Sequence, residues 1–333
     1  MAGGGGGEAL EDAVRDGAGL VFLEEVGATF VLQGAATVVG VAARGGGGCR
    51  CAADRDFFGF FGAEKCAAAV AFAFFAINID VAFAFGATGL LDDALKLVKR
   101  RSEGLTPKQK IFFQIIVSIA ITLFATKVVG LSTSVWIPIC NINFELGALY
   151  YPFIIFIMVG TTNACNLTDG IDGLLTSVSL IVFSGYFIIS YLLNYEVSMI
   201  FSLAMIGGLL AFLFYNFNPA KVFMGDTGSF FIGGAVVGIA ILTKTELLLL
   251  FLGMIYVIEA VSDIIQVIVY KKTKKRVFKM APIHHHFELS GYSEKGVVLL
   301  FCIATLVFVI LGLVTFCYSD IDSLMNLQGE FYV

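Results

Sequence analysis

Four polar strings interrupt a strongly apolar sequence, and each holds groups able to act on a phosphate. The first is Asp92-Asp93, followed by Lys96 and Lys99. Adjacent carboxylates repel unless a cation or a proton intervenes, so the pair suits holding Mg²⁺ or taking up a proton. On a continuing helix Asp92 and Lys96 stand at i,i+4 and share a face. A solvated helix end with an ordinary salt bridge is the plainer account of the same residues.

The second string runs from Asn163 through Asn166, Thr168, Asp169, Gly170, Ile171 and Asp172 to Gly173, between two apolar runs. Thr168 or Asn166 is expected to cap the helix that follows. The free N–H groups of that helix start suit phosphate or nucleotide oxygens. A capped turn with two acids favourable to the dipole explains Asp169 and Asp172, but not two asparagines at a lipid boundary. In the third string, Asn216 to Ser229, Gly225 and Gly228 flank Asp226 and permit close backbone approach. Asp226 suits a metal ion held jointly with a pyrophosphate. Phe223 fits either a stacking role on a base or a lipid-facing place at the interface.

The fourth string, His284-His285-His286-Phe287-Glu288, contains every histidine of the chain. Three consecutive histidines cannot all face one ion on regular structure and no cysteine is near, which disfavours zinc. Phosphate recognition or proton transfer is the better fit. Upstream, Glu259, Asp263 and Gln266 recur at helical spacing within an apolar run, so one polar stripe should face the bundle interior or a water-filled cleft.

The elements that carry these strings must lie in lipid. Of 333 residues 58% are hydrophobic and 14% charged, and the mean hydropathy is +0.91. A soluble core cannot absorb that much apolar surface. The net charge of −5 and the lack of a basic block alternating with aromatics exclude a nucleic-acid partner. The seven cysteines are scattered, Cys49-x-Cys51 has no second pair for zinc, and they read as buried apolar residues. No secretory signal is expected.

Apolar runs occupy 18–42, 55–66, 67–91, 111–126, 150–165, 174–193, 198–215, 229–242, 247–270 and 297–317. The reading is one all-α integral membrane domain over 1–333, a polytopic bundle of about ten transmembrane helices. The links 94–110 and 271–280 are dense in Lys and Arg, while 131–149 and 318–333 are not. The positive-inside rule therefore places 94–110 and 271–296 in the cytoplasm, and helix parity brings 163–173 and 216–228 to the same side. A transporter would hold its ionisable groups near the midplane instead.

The strings GLLDDALKLVKRRSEGLTPKQK, NACNLTDGIDGLLTS, NFNPAKVFMGDTGS and APIHHHFELSGYSE, in this order over about residues 86–317, resemble the phospho-N-acetylmuramoyl-pentapeptide transferase family. This family belongs to the polyprenyl-phosphate N-acetylhexosamine-1-phosphate transferases. The HHHFE segment separates the muramoyl branch from the sibling branch that uses UDP-GlcNAc. The resemblance implies ten helices with both ends outside, a homodimer in the bacterial inner (plasma) membrane, and a cytoplasmic active site. It implies transfer of phospho-MurNAc-pentapeptide from UDP-MurNAc-pentapeptide to undecaprenyl phosphate, giving lipid I and UMP. By position, Asp226 would bind Mg²⁺, Asp92 and Asp93 would be catalytic with Asp92 the favoured base, and His284 would be essential, with His285 and His286 nearby. Asp169, Gly170, Ile171, Asp172 and Phe223 would form the uridine pocket. Asn163, Asn166, Asn216, Lys96, Lys108 and Gln266 would line the donor cleft.

The chain departs from the family at several points. Ala94 replaces the usual Tyr, and Asp263 a usual apolar residue. The Lys and the Gly-Thr-Pro-Thr-Met-Gly-Gly motif of the first cytoplasmic loop are missing, the nearest region by distance from Asp92 being Arg44 to Arg50. Residues 1–101 contain no Ser, Pro, Tyr, Trp or His, and Glu24 and Glu25 fall inside an apolar run. Residues 1–85 are therefore atypical, and poor folding with little activity is expected unless Arg44 or Arg50 supplies the missing cation.

Overall fold

The computed structural model describes residues 59–99, 104–140 and 142–318, with side chains from Ile77 onward. The expected span at 18–42, Cys49 and Cys51, the Arg44 to Arg50 region and the tail beyond 318 lie outside the described residues. The unit Ala63–Val333 carries all four polar strings.

Helix α1 (Gly59–Lys99) is 41 residues long and joins the runs 55–66 and 67–91, which hydropathy divides. The dividing residues, Glu64 and Lys65, are good helix formers, and no proline stands between the runs. Helix α2 (Pro107–Leu123) starts with a reciprocal capping box. Gln109 N–H donates to Thr106 Oγ1 and Thr106 N–H to Gln109 Oε1, with Pro107 in the first turn. A π-helical stretch, Phe124–Val128, follows.

The chain then departs from an all-α reading. Strands β1 (Ser134–Ile137) and β2 (Ile142–Glu145) pair antiparallel, Ser134 opposite Glu145. Next come α3 (Tyr150–Thr168), α4 (Leu174–Leu192), α5 (Glu196–Asn216) and α6 (Gly225–Leu242). The run 247–270 is not one helix. It divides at Gly253 into α7 (Leu249–Leu252) and α8 (Met254–Thr273). Helices α9 (Ile283–Glu288) and α10 (Glu294–Cys317) complete the described fold.

Among the described residues, six helices are long and apolar enough to cross a membrane: α2 with its π-helical extension, α3 with the turn before it, α4, α5, α6 and α10. They coincide with six of the expected runs. Helix α6 is the spine, buried at nearly every position from Ser229 to Leu242. It packs on α1 through Phe231 against Phe83, ring centroids 5.3 Å apart. The cysteines do not all behave as core residues: Cys165 is buried, Cys302 half-buried, and Cys140 and Cys317 are exposed.

The two ends of the bundle differ in chemistry. Beyond the C-terminus of α6, the buried Lys244 ammonium donates to the Ser132 carbonyl and, at 3.1 Å, to the Tyr150 hydroxyl. This clasp fixes the hairpin. The four polar strings gather at the opposite end, about 27 Å away along an 18-residue helix.

Candidate active site

The last turns of α1 supply Asp92, Asp93 and Lys96, and the first turn of α6 supplies Asp226. They meet because Gly89 lets the two helices touch: a Cβ there would lie 2.2 Å from the Asp226 carbonyl oxygen. One carboxylate oxygen from each of Asp92, Asp93 and Asp226 lies within 4.8 Å of the others. The Lys96 ammonium sits among them, 2.7 Å from Asp92 Oδ2, 3.2 Å from Asp93 Oδ1 and 2.9 Å from Asp226 Oδ2. Burial opposes its charge, but the carboxylates of Asp92, Asp226 and Asp93 prevail and hold it above the ordinary lysine value.

Lys110, from the first turn of α2, adds a second ammonium, 2.7 Å from Asp226 Oδ2 and 3.0 Å from Asp92 Oδ2. The remaining oxygens are anchored. Asp92 Oδ1 accepts the Leu105 N–H at 2.6 Å, and Asp93 Oδ2 accepts from Thr227 N–H and O–H at 2.9 and 2.7 Å. Asn166 Nδ2 donates to Asp226 Oδ1 at 2.8 Å and to Ser229 Oγ at 2.9 Å. Asp92 is fully buried, whereas the side chain of Asp93 is 27% exposed. Three hard oxygen donors already gathered round a positive charge fit a divalent cation such as Mg²⁺, which takes one or two carboxylates together with substrate oxygens.

The turn after α3 lies beside this cluster, but it is not capped as expected. Asn166 is still within α3 and spends its amide on Asp226 and Ser229. Thr168 is buried and donates back to the Ala164 carbonyl at 2.8 Å. Helix α4 starts after Gly173 with no side-chain cap and no acid in its first turn. Asp169 ends α3, and its carboxyl is pushed up to about 7, first by burial and then by the charge of Asp226. Asp172 Oδ2 accepts the Ala220 N–H at 2.8 Å, tying this turn to the loop before α6.

Three expected cleft residues are instead internal clasps. Buried Asn216 accepts from Thr176 Oγ1 at 2.8 Å and donates to the Val222 carbonyl at 3.0 Å. Asn163 Nδ2 donates to Gln114 Oε1 and to the Val159 carbonyl, both at 2.7 Å. Gln266 accepts from the N–H groups of Val277 and Phe278 and donates to the Phe278 carbonyl. Each bonds through its amide to the chain's own groups and thereby helps to shape a loop. In the loop that Asn216 anchors, Phe223 is 76% exposed. Ile171 packs against the core, and Gly170 is exposed.

The histidines form the short helix α9 and point three ways. His284 is fully buried with Nδ1 3.0 Å from Glu259 Oε2. His285 Nδ1 lies 2.6 Å from Glu288 Oε2, and His286 Nδ1 accepts the Lys279 N–H at 3.1 Å. The polar stripe of α8 faces inward most fully at Glu259.

Sequence reading selected Lys108, which is exposed on α2 outside the cluster. The residue it missed is Lys110. The signal was present: Lys110 begins the stripe Lys110, Gln114, Ser118, Thr122, spaced by four in an apolar helix, and the last three are buried.

Residues 66–244 match glycosyl transferase family 4. Proteins carrying the name phospho-N-acetylmuramoyl-pentapeptide-transferase are similar over most of the chain. The one from Carboxydothermus hydrogenoformans is 52% identical over 235 residues, 68% of this chain and 72% of the relative. The one from Desulfitobacterium hafniense is 46% identical over 249 residues, 72% of this chain and 74% of the relative. The one from Clostridium perfringens is 51% identical over 224 residues, 67% of this chain and 70% of the relative. The chain therefore belongs to glycosyl transferase family 4 and, within it, to the phospho-N-acetylmuramoyl-pentapeptide transferases.

Proposed function

We propose that the chain transfers phospho-MurNAc-pentapeptide from UDP-MurNAc-pentapeptide to undecaprenyl phosphate, releasing UMP and forming lipid I for peptidoglycan. The observation that carries this reading is the convergence of Asp92, Asp93 and Asp226 around Lys96, with Lys110 beside them. Both substrates are anions, so attack of one phosphate on another is electrostatically opposed until positive charge is supplied. Lys96 and Lys110 supply two such charges. Mg²⁺, held by Asp226 with Asp93, would add a third and polarise the pyrophosphate.

Lys96 and Lys110 turn from Asp92 towards the substrate phosphates on binding, which frees Asp92 to take the proton of the polyprenyl phosphate. Asp93, already more exposed, stays anchored to Thr227 and would hold the metal together with Asp226. Phe223 stacks on uracil beside Asp169, Gly170, Ile171 and Asp172. Asn163, Asn216 and Gln266 act by holding the loops of the donor cleft, and His285 and His286 flank it. The reading includes ten membrane helices, a homodimer, the inner (plasma) membrane and a cytoplasmic active-site face. The basic links next to the site support that side.

The test is formation of the labelled lipid product by the purified protein with and without Mg²⁺, for wild type and Asp226→Asn. Asp226→Asn removes the carboxylate that contacts both lysines and Asn166, and turnover should be lost even in saturating Mg²⁺. Activity within about tenfold of wild type would refute the role of Asp226.

A further inference from the structure

We propose that Glu259 is a positioning residue for His284, fixing its proton on Nδ1 and presenting Nε2 to the donor substrate beside Gly170. The inference rests on the transferase reading and adds to it a residue and an atom.

Glu259 and His284 are both fully buried and come from different helices, with Glu259 Oε2 3.0 Å from His284 Nδ1. In the proposed arrangement Glu259 is the acceptor, which puts the proton between them on Nδ1 and the lone pair on Nε2. Backbone contacts lock the couple. Ser262 Oγ donates to the Glu259 carbonyl at 2.7 Å and accepts the Ile283 N–H at 3.0 Å, which pins the start of α9 to α8. The His285 ring lies against that of His284, centroids 4.1 Å apart.

His284 Nε2 is buried and has no hydrogen-bond partner within the protein. It is aimed at Gly170, where a Cβ would lie only 2.1 Å away. Glycine at this position leaves the ring its place, and the preceding residue, Asp169, feels the charge of Asp226. A buried nitrogen without a protein partner, packed against an exposed glycine, is a receptor for a hydrogen-bond donor of the ligand, a hydroxyl, an imide N–H or a protonated phosphate. The plainer alternative is a clasp between α8 and α9 that never meets substrate.

The decisive measurement is ¹⁵N NMR of the full chain at about pH 8, where an ordinary imidazole of pKa about 6.5 is neutral. A His284→Asn spectrum identifies the resonances. Wild-type protein should carry the proton on Nδ1, and UDP-MurNAc-pentapeptide should shift the Nε2 resonance. Protonated Nε2 in the free protein, or an Nε2 signal unmoved by saturating donor, would overturn the proposal. Neither result needs turnover, so both stand apart from failure of the transferase reading. In kinetics, Glu259→Gln keeps the shape but offers an amide donor to Nδ1, driving the proton to Nε2. It should lower kcat/KM for the donor by about 10²-fold or more, part of it as a raised donor KM. Added to His284→Ala it should cost nothing further. Full activity of Glu259→Gln would leave only the clasp.

Discussion

Lys110 and Asp226 stand 116 residues apart in sequence and meet at 2.7 Å, the contact by which α2 joins the carboxylates of α1 and α6. Two residues earlier on the same helix, Lys108 is exposed. On a helix, neighbours two apart point to nearly opposite sides, so only one of the two lysines serves the cluster. Lys110→Met should lower kcat by about 10²–10³-fold, the scale for removing one group that stabilises developing charge. Lys108→Met should stay close to wild type. Steady-state kinetics on the pair checks this, and the reverse order of sensitivity would return the role to Lys108.

Gly89 sets the distance between α1 and α6. Its absent side chain leaves room for the Asp226 carbonyl, 2.2 Å from where a Cβ would sit. Gly89→Ala must push the helices apart and carry Asp92 and Asp93 away from Asp226. A stability loss of about 1–3 kcal/mol is expected from overpacking, with a larger loss of activity than of fold. Thermal unfolding and turnover measured on the same preparation separate the two.

The local parts of this arrangement were legible in the sequence, and the non-local parts were not. Asp92 and Lys96 form the expected i,i+4 pair because helix geometry alone places them together. Six apolar runs became membrane-length helices for the same reason. The partners of Asn163, Asn216 and Gln266 are Gln114, Thr176 with Val222, and Val277 with Phe278, which only the folded chain brings near. A polar residue at a lipid boundary reads the same whether it binds substrate or a loop. The hairpin was missed because hydropathy was weighed over β-propensity in Ser134-Val135-Trp136-Ile137, although its Trp136 is fully buried.

Phe223 is largely exposed in the loop that Asn216 ties through Val222. Phe223→Ala should weaken binding of UMP or the UDP-sugar by about 1–3 kcal/mol, the range for base–aromatic stacking, without changing stability. Calorimetry with UMP reads it directly, and unchanged affinity would make Phe223 a lipid-facing aromatic.

Asp169 gives the fold a pH dependence of known sign. Its folded-state carboxyl is raised from the ordinary 3.8 to about 7, chiefly by burial. The unfolded chain therefore ionises it first, and its contribution to stability, full below about 3.8, is lost as pH rises to about 7. Asp169→Asn should raise the melting temperature above that window and leave it nearly unchanged below. An equal shift at both ends would mean the Asp169 carboxyl titrates normally.

The central claim is that these carboxylates and lysines serve transfer of a muramoyl-pentapeptide phosphate to a lipid phosphate. The most direct measurement is UMP release by the purified chain in Mg²⁺ and undecaprenyl phosphate, with UDP-MurNAc-pentapeptide and UDP-GlcNAc run side by side. UMP should come from the muramoyl donor alone, dependent on the lipid phosphate and abolished by Asp226→Asn. UMP from UDP-GlcNAc instead, or none from either donor, would contradict it.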